Sequence, residues 1–463
     1  MSKTIAIIGA SGFVGQHLME NFDEDFSVIG LSRSQKSSDK KHISWRQADL
    51  FSAQSTAKAL KGVDVAIYLV HSMMPSSKFF QGSFHDTDLM LADNFVKACQ
   101  LNHVKQIIYV GGVVPNGHIS QHLESRREIE TIMTQSGINY TILRAGLIVG
   151  NGGSSFEILK NLAINLPAMV LPKWTTSHTQ VIYINDVVRI INHSIQNEDF
   201  INKKLNAVTH EDLRYRDLIT KTIKRLGKKK LLLSIPINNV SFSKLWVSLF
   251  GHSNYELVSP LIDSLLCDFS AIYPEETVEQ LIQYKTFDSM LEQIKKEKSP
   301  RRKPYRSQKS TTARSIQRLG EKIEIPAKEV ANLYMDWLPK YFFFLIRIHR
   351  DGNIISFRLF NSITLLRLKY IYDPNMKDRA KFHIVGGLLC QEDDTGWLEF
   401  RSVNEGQFFL ASINEFIPTL PWFIYRYSQA ALHKNVMDNF GKYVQKKNLA
   451  RRKVDKDTAD HKS

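Results

Sequence analysis

The sequence predicts an α/β fold: a doubly wound parallel sheet with a helical extension, followed by a smaller α+β domain. Three observations predict it. Apolar strand patterns alternate with helix patterns through the first half. A glycine-rich turn joins the first strand to the first helix. Past a basic, proline-containing stretch, the pattern changes to successive strands closed by a long helix. At 463 residues the chain has room for two to three domains.

Thr4–Ile8 is an apolar strand ending at Gly9, and a helix pattern starts at Gly12. Phe26–Leu31, Ile43–Arg46 and Val63–Val70 read as the second, third and fourth strands. Phe84–Leu101 is a long helix with Leu89, Ala92, Phe95 and Val96 on one side. Lys105–Val110 is the fifth strand, Gln121–Gln135 a helix and Asn139–Arg144 the sixth strand. Near-continuous apolar strands separated by helices imply a parallel sheet covered on both faces. Phe156–Asn165 is helical, and Val181–Ile184 is a strand leading into a helix capped at Asn185-Asp186. Residues 206–298 mix helices with irregular pieces and extend over the carboxyl ends of the strands, where a substrate belongs. The expected domains are 1–294, a basic linker 295–315, a C-terminal α+β domain 316–447 and a basic disordered tail 448–463. In the C-terminal domain Ile323–Pro326 is a strand and Ala327–Leu338 a helix. Ile354–Tyr370, Phe382–Cys390, Gly396–Val403 and Gln407–Ile413 are strands, and Trp422–Lys446 is the closing helix. That order is the order of a helix-grip fold.

Gly9-Ala10-Ser11-Gly12-Phe13-Val14-Gly15 fits GxxGxxG between a strand and a helix. Gly9 permits the tight turn, Gly12 lets backbone approach a pyrophosphate, and Gly15 lets the helix pack on the sheet. Free N–H groups at the helix start then hold phosphate. This is a Rossmann dinucleotide turn, with Gly9, Ser11, Gly12, Phe13, Val14 and Gly15 as cofactor ligands. The second strand ends Gly30-Leu31-Ser32-Arg33-Ser34, with no carboxylate for a ribose 2′-hydroxyl. Ser32 and Arg33 suit a 2′-phosphate, so NADP is expected over NAD. Asp49 and Leu50, after the third strand, are expected near the adenine.

Composition is that of a soluble globular chain, 43% hydrophobic and 23% charged. Apolar runs such as Phe342–Ile346 are too short to span a membrane, and no signal peptide precedes the first strand. Cys99, Cys267 and Cys390 are far apart and odd in number, which fits a reducing cytoplasm and neither a disulfide framework nor a metal site. The net charge of +15 is concentrated in Lys295–Arg318 and after Lys442. A solvated linker and tail, with weak contact to an anionic surface, is the expectation. No aromatic ladder accompanies these charges, so sequence-specific nucleic-acid binding is not expected.

Several stretches resemble the atypical extended short-chain dehydrogenases/reductases. They are the glycine turn, Ala48-Asp49-Leu50, Asp64–Ser72 and Leu143-Arg144-Ala145-Gly146. His122–Arg126 with Glu128 and Glu130, and Leu143–Glu157 continuing to Pro172-Lys173-Trp174, resemble the YbjT-like branch related to NmrA-like NAD(P)-binding proteins. Gly396–Phe400 and Leu432-His433 resemble that branch's C-terminal domain. The resemblance covers nearly the whole chain. It implies NAD(P) binding, with Val70, His71, Arg144 and Ala145 joining the cofactor site, and an oxidoreductase whose substrate it does not name.

The short-chain dehydrogenase mechanism uses a Tyr, a Lys one helical turn later, and a Ser at the end of the fifth strand. Here that strand ends Val110-Gly111-Gly112, and the next helix carries His122 and Arg126 where Tyr and Lys are expected. His122 and Arg126 are either a substitute catalytic pair or a polar helix face. The Tyr305/Lys309 and Tyr443/Lys447 spacings fall in the linker and closing helix, away from a nicotinamide. His71, Ser72 and Met73 are expected beside the nicotinamide or as loop packing. Trp397, Phe400, Phe408, Phe416, Trp422, Phe423 and Tyr425 form either a hydrophobic core or a ligand cavity. The expected function is an NADP-dependent oxidoreductase acting on a small molecule; the alternative is a non-catalytic NADP(H) sensor or scaffold.

Overall fold

The computed structural model describes residues 2–72, 77–115, 117, 119–166, 168–235, 262–297, 310–372, 377–391 and 395–460. The chain forms two compact units: Met1–Met74 with Asn94–Tyr305, and Pro75–Asp93 with Arg306–Ser463. The second unit is thus discontinuous. It takes strand β5 (Ser77–Gln81) and the start of helix α3 (Phe84–Leu101) from the middle of the N-terminal half.

The first unit is built on seven parallel strands. They are β1 (Thr4–Ile8), β2 (Ser27–Ser32), β3 (Ile43–Gln47), β4 (Val65–Tyr68), β6 (Gln106–Gly112), β7 (Asn139–Ala145) and β12 (Lys203–Ala207), in the order β12-β7-β6-β4-β1-β2-β3. Chain direction through the sheet reverses at β1, so a crevice opens at the carboxyl ends of β1 and β4. Ile5, Ile7, Val65 and Ile67 pack with Leu18 of α1 (Phe13–Asn21) and Ile190 of α6 (Ile184–Gln196). Tyr68, facing the other way, meets Phe95 of α3. Helices therefore cover both faces, which is why the strands are apolar throughout. Helix α2 (Ala53–Ala59) follows β3, and α4 (Gln121–Thr134) lies against β6 and β7.

The extension holds three small two-stranded pairs: β8 (Leu147–Val149) with β11 (Val181–Tyr183), β9 (Ala168–Leu171) with β14 (Leu231–Ser234), and β10 (His178–Thr179) with β13 (Leu213–Arg214). Helices α5 (Ser154–Asn165) and α7 (Tyr215–Arg225) pack together, and α8 (Glu276–Glu279) and α9 (Phe287–Lys296) follow. Helix α6 starts at Ile184 without a side-chain cap, against the expected cap at Asn185-Asp186. Asp186 is wholly buried and accepts hydrogen bonds from the backbone of Gln283 and Tyr284 instead.

The second unit has β15 (Ser310–Glu321), helix α10 (Ala327–Tyr341), then β16 (Ile346–Asp351), β17 (Ile354–Leu359), β18 (Ile363–Ile371), β19 (Arg379–Gly386), β20 (Trp397–Val403) and β21 (Phe408–Phe416). The sheet order is β16-β17-β18-β19-β20-β21-β15-β5. Consecutive strands pair antiparallel, β15 closes onto β21, and β5 adds in parallel beside β15. The long helix α12 (Gln429–Asp460) follows the short α11 (Trp422–Tyr427) and packs on β15. This is the helix-grip order, with β5 as an addition. Phe400, Phe408, Phe416 and Tyr425 are buried core, whereas Phe423 is 70% exposed.

Several boundaries differ from those read in the sequence. The expected strand over Ile354–Tyr370 is a hairpin, turned at Phe360 and Asn361, which both have positive φ. The expected single closing helix breaks at Ser428, whose hydroxyl donates back to the Ile424 carbonyl. The expected basic linker 295–315 shrinks from both ends, because α9 runs to Lys296 and β15 begins at Ser310. Arg314 lies buried against Glu415, and Arg318 pairs with Asp86 and Glu321. The remainder, 298–309, lies outside the described residues. The expected disordered tail is helical to Asp460. Buried Asn448 accepts from Glu324 N–H and donates to the Lys322 carbonyl, and Arg452 bonds both Lys322 and Glu324. Arg452 thus ties this helix to the turn after β15. No helix among the described residues is long and apolar enough to cross a membrane.

Candidate functional site

A cavity of about 420 Å³ opens at the carboxyl ends of the first unit's central strands. The loops after β1, β4, β6 and β7 all reach it.

The glycine turn forms one wall. Gly9 has φ +91°, in the left-handed region where a Cβ is strained. A Cβ on Gly15 would lie 2.4 Å from the Gly9 carbonyl oxygen and 2.6 Å from Ala10 Cα, so only glycine lets α1 start this close to the turn. Gly12 N–H donates to the Gly9 carbonyl at 2.9 Å and holds the loop shut. Helix α1 has no side-chain cap and no acidic residue in its first turn. The helix dipole gives this uncapped end a positive potential that suits an anion. These are the features a dinucleotide pyrophosphate requires.

Gly9, Gly12, Phe13, Val14, Gly15, His71, Ala145, His122 and Arg126, all singled out in the sequence, line this one cavity. Ser11, Ser32, Arg33, Asp49, Leu50, Val70 and Arg144 do not. Ser32 ends β2 and Arg33 follows it, exposed, with its carbonyl bonded by Gln47 Nε2. Asp49 accepts from Phe51 N–H, and Leu50 offers its carbonyl to Asn94. Both belong to the turn between β3 and α2. Arg144 points its guanidinium to Glu130 of α4, at 2.5 and 3.1 Å, and Lys204 joins the same carboxylate at 3.0 Å. Met73 and the Tyr305/Lys309 pair lie outside the described residues. Tyr443 and Lys447 stack on one another on α12, in the second unit.

His122 and Arg126 stand one turn apart on α4. Arg126 is buried and donates to His71 Nδ1. A guanidinium can only donate, so His71 accepts as a neutral imidazole. Crowding by the surrounding protein, then the Arg126 and His122 charges, pushes His71 well below its ordinary pKa, although its outer edge is exposed. Burial, then the Arg126 charge, pushes His122 down to about 3. Near neutrality the pair is therefore one fixed cation beside a neutral imidazole.

The far end of the cavity is the part the sequence left unassigned. Ile158, Leu159 and Leu162 of α5, Leu218 and Ile219 of α7, and Ile262, Leu265 and Phe269 make it apolar. Gln180, Thr179 and Tyr215 supply its polar atoms. Burial pushes the Tyr215 phenol up to about 12, with a hydrogen bond from Thr179 acting the other way. The signal available in the sequence was the amphipathic pattern of α5 and α7. Nothing local announced that both helices face the sheet's open edge.

The comparisons agree with this geometry. The family model described as NAD(P)H-binding matches residues 9–163. The chain is 30% identical to the auxiliary protein GraX of Staphylococcus aureus over 114 residues, 24% of this chain and 37% of that protein. It is 24% identical over 261 residues to the N-acetyl-alpha-D-glucosaminyl-diphospho-ditrans,octacis-undecaprenol 4-epimerase of Escherichia coli O157:H7, covering 51% of this chain and 76% of the relative. Among solved structures, it resembles a nucleoside-diphosphate-sugar epimerase of Staphylococcus aureus with TM-score 0.51 and 19% identity, over 62% of this chain and 99% of that one. It also resembles the triphenylmethane reductase of a Citrobacter species with TM-score 0.50 and 20% identity, over 64% of this chain and 100% of that one. Over residues 9–163 the chain therefore carries an NAD(P)H-binding domain.

Proposed function

We propose that the protein is an NADP(H)-dependent oxidoreductase of a small, largely apolar substrate. One observation carries the reading: the glycine turn and the apolar pocket are two ends of a single cavity, with His122 and Arg126 also on its wall. A protein that only held a nucleotide would not need the pocket. When bound, the cofactor supplies a hydride donor or acceptor. The uncapped start of α1, with Gly9, Ser11, Gly12, Phe13, Val14 and Gly15, binds the pyrophosphate. Ser32 and Arg33 at the end of β2 take the 2′-phosphate, and Asp49 and Leu50 flank the adenine. Val70, His71 and Ala145 serve the nicotinamide end. Arg144 acts one step back, holding the end of β7 to α4 through Glu130.

His122 and Arg126 work as a polarising pair. The neutral imidazole donates a hydrogen bond to a substrate oxygen, and the Arg126 charge stabilises negative charge that develops on it. Three buried thiols suit the cytoplasm.

A non-catalytic NADP(H) sensor is the second reading. The low pKa of His122 favours it, since a group neutral at pH 7 has no spare proton to deliver. Two measurements separate the readings. Calorimetry with NADPH, NADP, NADH and NAD tests the cofactor; no heat from any of them rejects both. Loss of NADPH absorbance with a panel of aldehydes, ketones and quinones tests turnover. Turnover that falls in His122→Ala with NADPH affinity intact supports the enzyme. Tight NADPH binding with no oxidation of any substrate supports the sensor.

A further inference from the structure

Among the described residues, one side-chain atom of Gln180 has no hydrogen-bond partner. The residue is 3% exposed and lies on the cavity wall, between β10 and β11. Its Nε2 donates to the Phe269 carbonyl at 3.3 Å. That bond fixes which way the amide faces, because the flipped rotamer would set two carbonyl oxygens against each other. Oε1 is left buried, with no hydrogen-bond partner among the described residues. Buried acceptors are almost always satisfied, and one on a cavity wall points to a ligand group.

The backbone holds this acceptor in place. The Gln180 carbonyl accepts from Leu147 N–H at 2.7 Å. A Cβ on Gly146 would come within 2.4 Å of that same carbonyl oxygen, so the missing side chain lets the two segments meet. Ile158, Leu162, Trp174, Leu218, Ile262 and Phe269 line the same cavity.

We propose that this end of the cavity binds an aromatic or similarly apolar molecule with one hydroxyl or N–H donor, and that Gln180 Oε1 accepts that hydrogen bond. Gln180 is then the residue that sets specificity. A ligand with the donor satisfies the acceptor; one of equal shape without it leaves the acceptor desolvated and unpaired. The proposal rests on reading the cavity as a joint cofactor and substrate site. The same N–H chemistry is present on a nicotinamide carboxamide. Gln180 lies instead beside Thr179 and Phe269 of the extension, which favours the substrate.

The test uses the full chain and two probes of matched shape, 1-naphthol and 1-methoxynaphthalene, by calorimetry with and without saturating NADPH. Wild type should prefer the naphthol by about tenfold, the equivalent of about 1.4 kcal/mol. Gln180→Leu should lose that preference and keep its NADPH affinity. Equal affinity for the two probes in wild type overturns the proposal without need of a variant. So does a preference that survives in Gln180→Leu. If the variant instead weakens NADPH but not the 3-acetylpyridine analogue, which lacks amide donors, the acceptor serves the cofactor and the proposal fails. The arm without nucleotide keeps the two readings apart: absent NADPH binding rejects the cofactor assignment, while the donor preference stands or falls by itself.

Discussion

His122 is neutral in the native state because its imidazole is buried beside the Arg126 charge. On unfolding it regains its ordinary value near 6.5 and binds a proton at lower pH. Its native pKa is the lower of the two, so stability is full above about pH 6.5 and falls as the pH drops toward about 3. The loss is about 1.4 kcal/mol per pH unit, or about 2 kcal/mol at pH 5. His122→Gln should therefore lose about 2 kcal/mol less stability between pH 7 and pH 5 than wild type, as read by urea unfolding. An identical pH dependence would show that His122 titrates normally. Arg33 carries a different expectation, since it is exposed and its effect is read in binding. A charge-assisted hydrogen bond contributes about 1.5–3 kcal/mol, so Arg33→Ala should weaken NADP by about 10- to 100-fold and leave NAD unchanged. Equal loss for both nucleotides would place Arg33 elsewhere on the cofactor.

The start of α1 and the end of α12 show how differently two helix ends declare themselves. At α1 the requirement is covalent and local: Gly15 must lack a Cβ because the Gly9 carbonyl would lie 2.4 Å from it. Gly15→Ala should force the helix off the turn and abolish nucleotide binding, measured by calorimetry, with the second unit's melting unchanged. Such a motif was legible in the sequence, as were the alternating strands and helices of the parallel sheet and the place of His122 and Arg126 on α4. At α12 the requirement is tertiary. The sequence after Lys447 looks like a solvated tail because Asn448, Arg451 and Arg452 find their partners at Lys322, Glu324 and Glu329, over a hundred positions earlier. Asn448→Ala removes two partly buried hydrogen bonds and should cost the second unit about 1–3 kcal/mol by thermal unfolding. The same blindness hid β5, a five-residue strand whose partner begins at Ser310. It also hid the apolar end of the cavity, whose walls come from α5, α7 and residues 262–269.

The second unit is completed by residues that precede most of it by more than two hundred positions. Asp93, at the end of that borrowed piece, lies buried between Arg379 (3.2 Å) and Arg401 (3.0 Å), and Glu399 bonds Arg401 at 2.8 Å. The Met90 carbonyl also accepts from Arg401. Burial works to raise the Glu399 carboxyl, but the two arginines and Lys381 outweigh it and keep the group below its usual range. Removing one member leaves a buried charge without compensation, which costs about 3–5 kcal/mol. A fragment of residues 306–463 lacks Asp93 and β5 together. It should unfold at a lower temperature than the second unit of the intact chain, and added peptide 75–93 should restore the loss, as followed by circular dichroism. A fragment as stable as the intact unit would show that the borrowed piece is dispensable. Synthesis on the ribosome gives this arrangement a timetable. Asp93 is joined to the growing polypeptide 213 residues before Arg306, and at about 5–20 residues per second that interval is roughly 10–40 s. Through it, an edge strand and a carboxylate destined for burial stay without their partners, and a chaperone that shields nascent β-edges would have its clearest target there.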